Sequence, residues 1–317
     1  NSQYRTVEIP IEYPLATQVV PPESPLTKVQ QLKYLKVLNH LLTLNDTNQF
    51  QIDDKSWLTR ECILRYLRAT KWLPNDAIKR IKSTISWRKE FGISNQFDNQ
   101  NVVNFDLCSI ENQTGKEVIL GFDNNLRPCL YLKPGRQNTK ASLRQVQHLV
   151  LMLEKVIDFM PPGQDSLALL IDFKPYNVLS KEEQSKLPKV PSISIGKQVL
   201  HILQNHYPER LGKALLTNMP WYAKTFLNLI HPFIDPLTKT KLVYNEPFVN
   251  YVPTELLDKD FGGEINFIYK HEVYWKNLVE ISNKKRLNYI NRFNRFGRFI
   301  GLSEFDLRGE HNILKYP

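Results

Sequence analysis

The side chains best suited to bind or transform a polar ligand are concentrated in the stretch 204–243. A polar turn, His206 to Arg210, opens this stretch, and a charged loop that begins at Asp235 closes it. None of the seven histidines occurs in an H-E-x-x-H arrangement or stands at metal-ligand spacing from a cysteine. A lone histidine beside a turn or a helix end is more often a structural hydrogen-bonding residue, so we favour that role for His206 and His231.

The sequence lacks the short motifs of the common catalysts built on parallel sheets. It contains no G-x-G-x-x-G, no G-x-x-x-x-G-K-[ST] and no G-x-S-x-G. Phosphate binding by a glycine-rich loop and attack by a serine at a nucleophile turn are therefore disfavoured. A hydrolase or a nucleotide-dependent enzyme stays an alternative, and we expect no cofactor and no metal.

The segment between the polar turn and the charged loop, Trp221 to Phe233, is apolar on nearly all sides. Its large apolar residues cannot all lie on one stripe of a helix; they are Trp221, Tyr222, Phe226, Leu227, Leu229, Ile230 and Phe233. A helix of this kind is normally buried or spans a membrane, but about three turns are too short to span one. The segment therefore either lies in a core or covers something apolar that is not protein.

The overall composition favours a globular protein with phosphate-bearing partners. Lysine and arginine number 42 against 32 acidic residues, a net charge of +10, which suits nucleic acid, nucleotides or a lipid surface. No apolar run reaches the length of a membrane span, and no secretory signal is visible. Because the three cysteines are widely spaced in apolar surroundings, we expect free thiols in a reducing, intracellular compartment.

A basic segment near the C-terminus, Lys284 to Phe296, interleaves basic and aromatic residues. Such a segment could neutralise and stack on nucleic acid, which would appear as a steep salt dependence of oligonucleotide binding. We favour an amphipathic helix that packs Leu287, Ile290 and Phe293 on the domain and leaves the bases in water. We expect no nucleic-acid partner.

The first third of the chain predicts an arm and a helical lobe. Five prolines in residues 1–26 predict an extended arm, and residues 27–104 predict the lobe. A helix beginning near Thr27 carries apolar residues at helical spacing at Leu32, Leu35, Leu38 and Leu42. A basic helix from Trp57 to Trp72 has its apolar face at Cys62, Leu64 and Leu67. Pro74 begins the next helix, which ends at Gly92, a favoured residue just past a helix end.

Residues 105–270 predict an α/β domain. Two strands joined by a polar turn come first, Glu117 to Phe122 and Pro128 to Leu132. A helix capped by Thr139 follows, then a continuous apolar strand, Leu167 to Ile171, and a further helix, Ile193 to Asn205. Strands that alternate with helices indicate a largely parallel sheet. Residues 271–317 add a final helix, from about Val273 to Gly297, and a tail.

Four short motifs follow one another along the chain. They are Arg65-Tyr-Leu-Arg-Ala-Thr-Lys-Trp72, His206-Tyr-Pro-Glu-Arg-Leu-Gly-Lys213, Asp235-Pro-Leu-Thr-Lys-Thr-Lys241 and Phe261-Gly-Gly263. In this combination the chain, over residues 55–310, resembles the CRAL-TRIO lipid-transfer family. Within that family it is similar to the fungal secretory-pathway phosphatidylinositol transfer proteins, above all to the pleiotropic-drug-resistance branch linked with azole tolerance.

The resemblance implies an α/β fold in which a helical N-terminal lobe stands beside a CRAL-TRIO domain with a mostly parallel sheet, a lipid pocket and a gating helix. Trp221 to Phe233 matches the gate, which would explain a helix that is apolar all round; a fixed core helix is the alternative. The implied function is binding of phosphatidylinositol and its transfer between membranes, without catalysis. The implied setting is the cytoplasm, with transient docking on the endoplasmic reticulum, lipid droplets or the cell periphery.

The resemblance also implies a headgroup site at Glu209, Thr238, Lys241, Lys71 and Thr70. The residue types fit, since a carboxylate accepts from inositol hydroxyls, ammonium groups offset phosphate charge and threonine is a neutral donor. At Thr70 other members of the family carry arginine, which implies that one phosphate contact is weaker here or comes from elsewhere.

A second departure concerns the choline-phosphate site of the branch that also exchanges phosphatidylcholine. That site is lined by serine, threonine and tyrosine, where this chain has Ile119, Leu130, Leu167 and Leu169. Aliphatic side chains neither donate to a phosphate nor offer an aromatic face to a quaternary ammonium. We therefore expect little or no phosphatidylcholine transfer, and a lipid with a small headgroup, such as a sterol, as a possible second ligand.

Overall fold

The computed structural model describes residues 3–94, 101–176 and 179–316. The end residues of the predicted arm and tail, and positions 95–100 of the predicted lobe, lie outside the described residues. The strands are β1 Arg5–Val7, β2 Glu117–Phe122, β3 Pro128–Leu132, β4 Leu167–Asp172, β5 Leu211–Thr217, β6 Leu242–Tyr244 and β7 Ile265–Phe267. The helices are α1 Lys28–Asp46, α2 Ile52–Trp57, α3 Arg60–Ala69, α4 Pro74–Phe91, α5 Phe105–Cys108, α6 Leu143–Asp158, α7 Lys181–Ser185, α8 Ile193–His206, α9 Trp221–Ile230, α10 Pro236–Thr240, α11 His271–Arg295 and α12 Glu304–Arg308.

Helices α1 to α4 form a lobe with its own apolar core. The side chain of Thr27 caps α1, as predicted, by accepting from the backbone N–H of Gln30. Helix α4 starts at Pro74 and stops at Gly92, whose φ of +89° is the left-handed conformation that closes a helix. Both predicted boundaries are therefore confirmed.

Two predictions within the lobe are wrong. Of the four leucines predicted on the apolar face of α1, Leu38 and Leu42 pack on the lobe core, but Leu32 and Leu35 are exposed. The buried residues of the helix are Tyr34, Val37 and Leu41. This helix turns that face towards α3 and α4, which it contacts. The predicted helix from Trp57 to Trp72 is two helices, because Thr59 leaves helical geometry and caps α3 by accepting from the N–H of Cys62.

The central sheet has the strand order β2-β3-β4-β5-β6, with β2 and β3 an antiparallel hairpin and all later neighbours parallel. The predicted mostly parallel α/β fold is thereby confirmed. A second, two-stranded sheet pairs β1 of the N-terminal arm with β7. The predicted cap of α6 is wrong, because this helix begins after Ser142 and not after Thr139. The Thr139 hydroxyl instead donates to the carboxylate of Glu111.

In the C-terminal helix α11, Ile290 and Phe293 are buried, but they cluster with Leu302 and Leu307 of the tail and with Ile52 of the lobe, and Leu287 is 59% exposed. The predicted packing of these three residues on the domain is therefore wrong, and α11 joins the domain core through Tyr274, Trp275 and Leu278 instead. Several of its basic residues are engaged within the chain. Lys284 pairs with Glu12 at 3.3 Å, and Arg292 donates to the backbone oxygen of Asp306 at 2.6 and 2.8 Å. These contacts favour the packed helix over a nucleic-acid surface.

A buried ion-pair cluster joins the lobe to the domain. The guanidinium of Arg65, on α3, lies 2.8 Å from Glu304 and 3.2 Å from Asp165, and Arg210 lies 3.5 Å from the same Glu304 carboxylate. Burial would raise the pKa of Glu304, but Arg65 and Arg210 hold that pKa well below its usual range. The carboxylate is therefore charged, and its position depends on both arginines.

Replacing Arg65 with alanine should lower the free energy of unfolding by about 3–5 kcal/mol, because the change removes the nearer of the two arginines that pair with the buried Glu304 carboxylate. Urea denaturation measures this. Lys186→Ala, which breaks an exposed pair with Glu182, is the control and should cost about 0–1 kcal/mol. A loss below about 1 kcal/mol for Arg65→Ala would show that the cluster does not hold the lobe in place.

Candidate ligand-binding site

A cavity of about 540 Å³ lies between the lobe and the domain. We call it the lobe–domain cavity. The lobe contributes residues from the end of α3 and from α4, and the domain contributes α6, β4, α8, the turn that follows α8, and α10. Four of the residues predicted to bind a lipid headgroup line it together: Lys71, Glu209, Thr238 and Lys241.

The two loops that face each other across this cavity both adopt strained backbone conformations. Glu209, on the domain side, has a φ of +62°, and Lys71 and Trp72, on the lobe side, have φ values of +53° and +59°. A residue other than glycine in this left-handed region costs on the order of 1 kcal/mol, and such residues cluster at functional sites. The surrounding packing therefore holds these two loops in conformations that they would not adopt alone.

The turn that carries Glu209 is anchored on both sides. Before it, the Tyr207 hydroxyl donates to Glu154 at 2.7 Å, and Arg88 of α4 donates to the same carboxylate at 2.6 Å. After it, Arg210 donates to the backbone oxygen of Asp165 at 2.9 Å. Burial would raise the pKa of Glu154, but the charge and hydrogen bond of Arg88 and the hydrogen bond from Tyr207 lower it. Glu154 thus stays ionised inside the interface.

His206 is a structural residue of this interface. Its ring stacks on Trp87 of α4 with centroids 4.2 Å apart, and its Nδ1 lies 2.8 Å from the Thr84 hydroxyl. Burial, aided by the neighbouring His201 and Arg88, lowers the pKa of His206 to about 4. The imidazole is therefore neutral at physiological pH and contacts lobe residues.

Glu209 and Lys241 form an ion pair on the domain side of the lobe–domain cavity. The Glu209 carboxylate lies 3.7 Å from the Lys241 ammonium, and both side chains are partly exposed. Thr238 is held by Asp235, which caps α10 by accepting from the Thr238 N–H at 2.8 Å and hydroxyl at 2.5 Å. A carboxylate, an ammonium and a hydroxyl thus stand together on the domain side.

Thr70 does not reach this cavity. It lies at the C-terminal end of α3, and its hydroxyl donates to the backbone oxygen of Tyr66 at 2.8 Å. Its side chain is buried and is not among the residues that line the cavity. Thr70 is therefore not in a position to contact a ligand in this cavity.

The structure adds three arginines that were not predicted from the sequence: Arg68 of α3, Arg80 of α4, and Arg210 of the turn already described. Arg68 belongs to one of the quoted motifs, so its nearness to Lys71 was visible in the sequence. Arg80 lies in a helix whose basic residues look alike, and no local pattern marks it. Only the packing of α4 against the domain brings it to the cavity.

A second cavity, of about 380 Å³, lies beneath α9 and is called the α9 cavity. Side chains of α6, α8, α9 and the sheet line it, and Leu200 of α8 lines both cavities. The residues of α9 that face it are Ala223, Phe226, Leu227 and Ile230. Gly196 of α8 permits close contact here, because a Cβ at that position would lie 2.8 Å from the Phe226 ring.

The opposite side of the predicted gate is exposed. Trp221 is 77% exposed, Leu229 56%, and Phe233, in the short 3₁₀ helix after α9, 47%, while Tyr222 is half-buried. A helix apolar on both sides thus has one face towards a cavity and one towards solvent. Its C-terminal end is attached to α8 by Gln204, which donates to the Phe233 oxygen at 3.1 Å and accepts from the Asp235 N–H at 2.7 Å.

The four aliphatic residues predicted to replace a choline site do not share one wall. Leu167 and Leu169 line the lobe–domain cavity. In the sheet, Ile119 pairs with Leu130, and Leu130 pairs with Leu169, so these three residues lie on one face. Ile119 and Leu130 are nevertheless buried and line neither cavity. Helix α6 contacts their strands, β2 and β3. Two of the four residues therefore lie on the wall of the lobe–domain cavity, and Ile119 and Leu130 line neither of the two cavities.

The remaining chemistry-bearing groups are unremarkable in this fold. Cys62, Cys108 and Cys129 are buried free thiols, as expected, and burial raises the pKa of Cys62 to about 11. Across residues 3–94, 101–176 and 179–316, no three histidine, cysteine or acidic side chains group as metal ligands would. Within the same ranges, no helix combines the length and the apolar character needed to cross a bilayer.

The sequence matches two family descriptions in the order of the lobe and the domain. The CRAL/TRIO N-terminal domain matches residues 33–83, and the CRAL/TRIO domain matches residues 112–263. The chain is also 44% identical over 309 residues, 92% of its length and 87% of the other's, to the phosphatidylinositol transfer protein PDR17 of Saccharomyces cerevisiae. The chain belongs to the CRAL-TRIO family. The resemblance found in the sequence, including the pleiotropic-drug-resistance branch, is confirmed.

Two further similarities concern a longer protein and a solved structure. A CRAL-TRIO domain-containing protein of Schizosaccharomyces pombe, C23B6.04c, is 47% identical over 96% of this chain, which spans 30% of that protein. The crystal structure of Sfh5 superposes with a TM-score of 0.54, covering 84% of this chain and 99% of that one at 16% identity. The latter similarity shows the fold alone.

The buried His206 predicts a pH dependence of stability. Because its pKa is about 4 in the folded protein and roughly 6.5 in the unfolded chain, only the unfolded chain takes up a proton there as the pH falls from 6.5. Between pH 6.5 and 5 the wild type should lose roughly 1.5 kcal/mol more unfolding free energy than His206→Gln. Urea denaturation at both pH values tests this, and equal losses would show that His206 is not held neutral.

Proposed function

We propose that the protein binds phosphatidylinositol in the lobe–domain cavity and transfers it between membranes. The observation that carries the proposal is the convergence of Lys71, Glu209, Thr238 and Lys241 on one cavity from segments that are far apart in the chain. Support also comes from the 44% identity to a protein named as a phosphatidylinositol transfer protein. Binding and release of a lipid need no catalytic group, so we propose a carrier and not an enzyme.

The headgroup would be bound by exchange of partners. Glu209 lies 3.7 Å from Lys241, and both side chains are partly exposed, so a ligand between them can separate the pair. The carboxylate would then accept from inositol hydroxyls and the ammonium would approach the phosphate, with the Thr238 hydroxyl as a neutral donor. Each group keeps a partner of opposite character, which avoids the cost of an unpaired buried charge.

The acyl chains would lie along the apolar walls. Leucines line the lobe–domain cavity beside the polar groups, and Leu200 also lines the α9 cavity. Burying an acyl chain is worth roughly 0.8 kcal/mol per CH₂, so a two-chain lipid cannot pass through water. Transfer from bilayer to apolar cavity is nearly neutral for the chains, and the headgroup contacts then decide which lipid stays.

Helix α9 would act as the gate while the protein is docked on a membrane. Its exposed residues, Trp221 and Leu229, would enter the bilayer interface as its inner face moves away from the α9 cavity. The positive net charge would favour docking on anionic lipid. We therefore propose a cytoplasmic protein that associates peripherally with a membrane, such as the endoplasmic reticulum, lipid droplets or the cell periphery.

A second ligand with a small headgroup fits the apolar walls better than phosphatidylcholine does. Leu167 and Leu169, on the wall of the lobe–domain cavity, offer no donor to a second phosphate and no aromatic face to a choline group. Ile119 and Leu130 lie outside the cavities, so the proposal depends on the other two. A sterol, whose polar part is one hydroxyl, is the lipid class that we propose.

Glu209→Ala/Lys241→Ala should abolish phosphatidylinositol binding and keep the fold. Mass spectrometry of lipids extracted from the purified protein measures this, with circular dichroism as the check of folding. Glu182→Ala/Lys186→Ala removes the same residue types from an exposed pair at 2.9 Å and should retain the lipid. Phosphatidylinositol at wild-type levels in the first variant would refute the site, and its absence from the wild type would refute the function.

Phosphatidylcholine transfer should stay at the protein-free background in an assay that moves labelled lipids between two vesicle populations. In the same assay the wild type should transfer phosphatidylinositol, and the Glu209→Ala/Lys241→Ala variant should not. Labelled sterol is the third lipid. Transfer of phosphatidylcholine as fast as phosphatidylinositol would contradict the proposed role of Leu167 and Leu169. Sterol transfer at the protein-free background would refute the sterol as a second ligand.

A further inference from the structure

Two cations on the lobe side of the lobe–domain cavity lack a side-chain partner within the part of the chain that the structure describes. They are Lys71, on the strained loop after α3, and Arg80, on α4, and both line the cavity. Arg80 is half-buried there, and no hydrogen bond, ion pair or aromatic contact of its guanidinium is present among those residues. A half-buried guanidinium without a protein partner keeps its N–H donors available to an anion, which it would bind through charge-assisted hydrogen bonds.

The other charged groups around the cavity have partners. Arg68 lies 3.5 Å from Asp165, Arg210 reaches Glu304, and Lys241 is paired with Glu209. The Asp235 carboxylate accepts from Thr238. The charge that is not compensated is therefore positive and is located on the lobe, opposite the Glu209 carboxylate.

We propose that Arg80 is a phosphate-binding residue of this site, acting with Lys71. The inference rests on the proposed function and deepens it: the lobe would bind the phosphate of the lipid, and the domain, through Glu209 and Thr238, would bind its hydroxyl-bearing alcohol. A guanidinium presents a planar fork of donors that matches two phosphate oxygens, which an ammonium cannot do. The ligand would then connect lobe and domain, and Thr70 takes no part because its hydroxyl is bonded to the α3 backbone.

The test compares Arg80→Gln, Arg80→Lys and Lys79→Gln in the full chain. Lys79 is the exposed neighbour of Arg80 on α4, so Lys79→Gln removes the same charge from the same helix without touching the cavity. Loss of one charge-assisted contact should weaken phosphatidylinositol binding about tenfold to a hundredfold in Arg80→Gln. Arg80→Lys should recover part of the loss, and Lys79→Gln should bind as the wild type does. Equal affinity of Arg80→Gln and wild type would overturn the proposal.

A phosphate-free probe separates a phosphate contact from a structural role. Fluorescent diacylglycerol has acyl chains but no phosphate, so its uptake should be the same in wild type and Arg80→Gln. A parallel loss of both lipids would show that Arg80 supports the fold of the cavity and would overturn the proposal.

A third probe separates this proposal from the proposed function. Phosphatidic acid carries a phosphate without inositol. The wild type could bind phosphatidic acid but not phosphatidylinositol, and Arg80→Gln could lose phosphatidic acid. This result would support Arg80 as a phosphate-binding residue and refute the proposed inositol site. If the wild type binds neither lipid, both proposals fail.

Discussion

The site depends on a set of buried ion pairs between lobe and domain. Glu304, near the C-terminus, receives Arg65 from the lobe and Arg210 from the domain, and Glu154 receives Arg88 from the lobe and Tyr207 from the domain. Tyr207 and Arg210 flank Glu209 on either side. The interactions that hold the lobe in place are therefore the same ones that fix the Glu209 turn, so the cavity cannot form without the interface.

This anchoring explains how the chain maintains two strained loops that face each other. Glu209 and Lys71 both have positive φ values, and neither is a glycine. The strain is small beside the cost of leaving a buried charge without its partner, which is several kcal/mol. Packing of the flanking residues therefore determines the backbone, and the two side chains are presented to the cavity as a consequence.

Helix α9 is apolar on two faces, and only one of them is buried. Helix α9 contributes Phe226 and Ile230 to a cavity and Trp221 and Leu229 to the surface. A helix within a core would bury both faces, whereas this helix is attached at its C-terminal end by hydrogen bonds to Gln204 and packs on Gly196. The helix thus covers the α9 cavity, and both the lobe and the domain contribute charged residues to the neighbouring lobe–domain cavity.

The sequence by itself determined the local elements and the family. The β2–β3 hairpin, the start of α1 after Thr27 and the end of α4 at Gly92 follow from apolar runs, caps and turn residues, which act over a few positions. Tertiary structure decided which side chains meet. The burial of Ile119 and Leu130 away from the cavities, the bonding of Thr70 to its own helix and the arrival of Arg80 at the cavity depend on how elements pack across a hundred or more positions. Periodicity fixes which face of an element is apolar, but it carries no information about which distant element that face will meet.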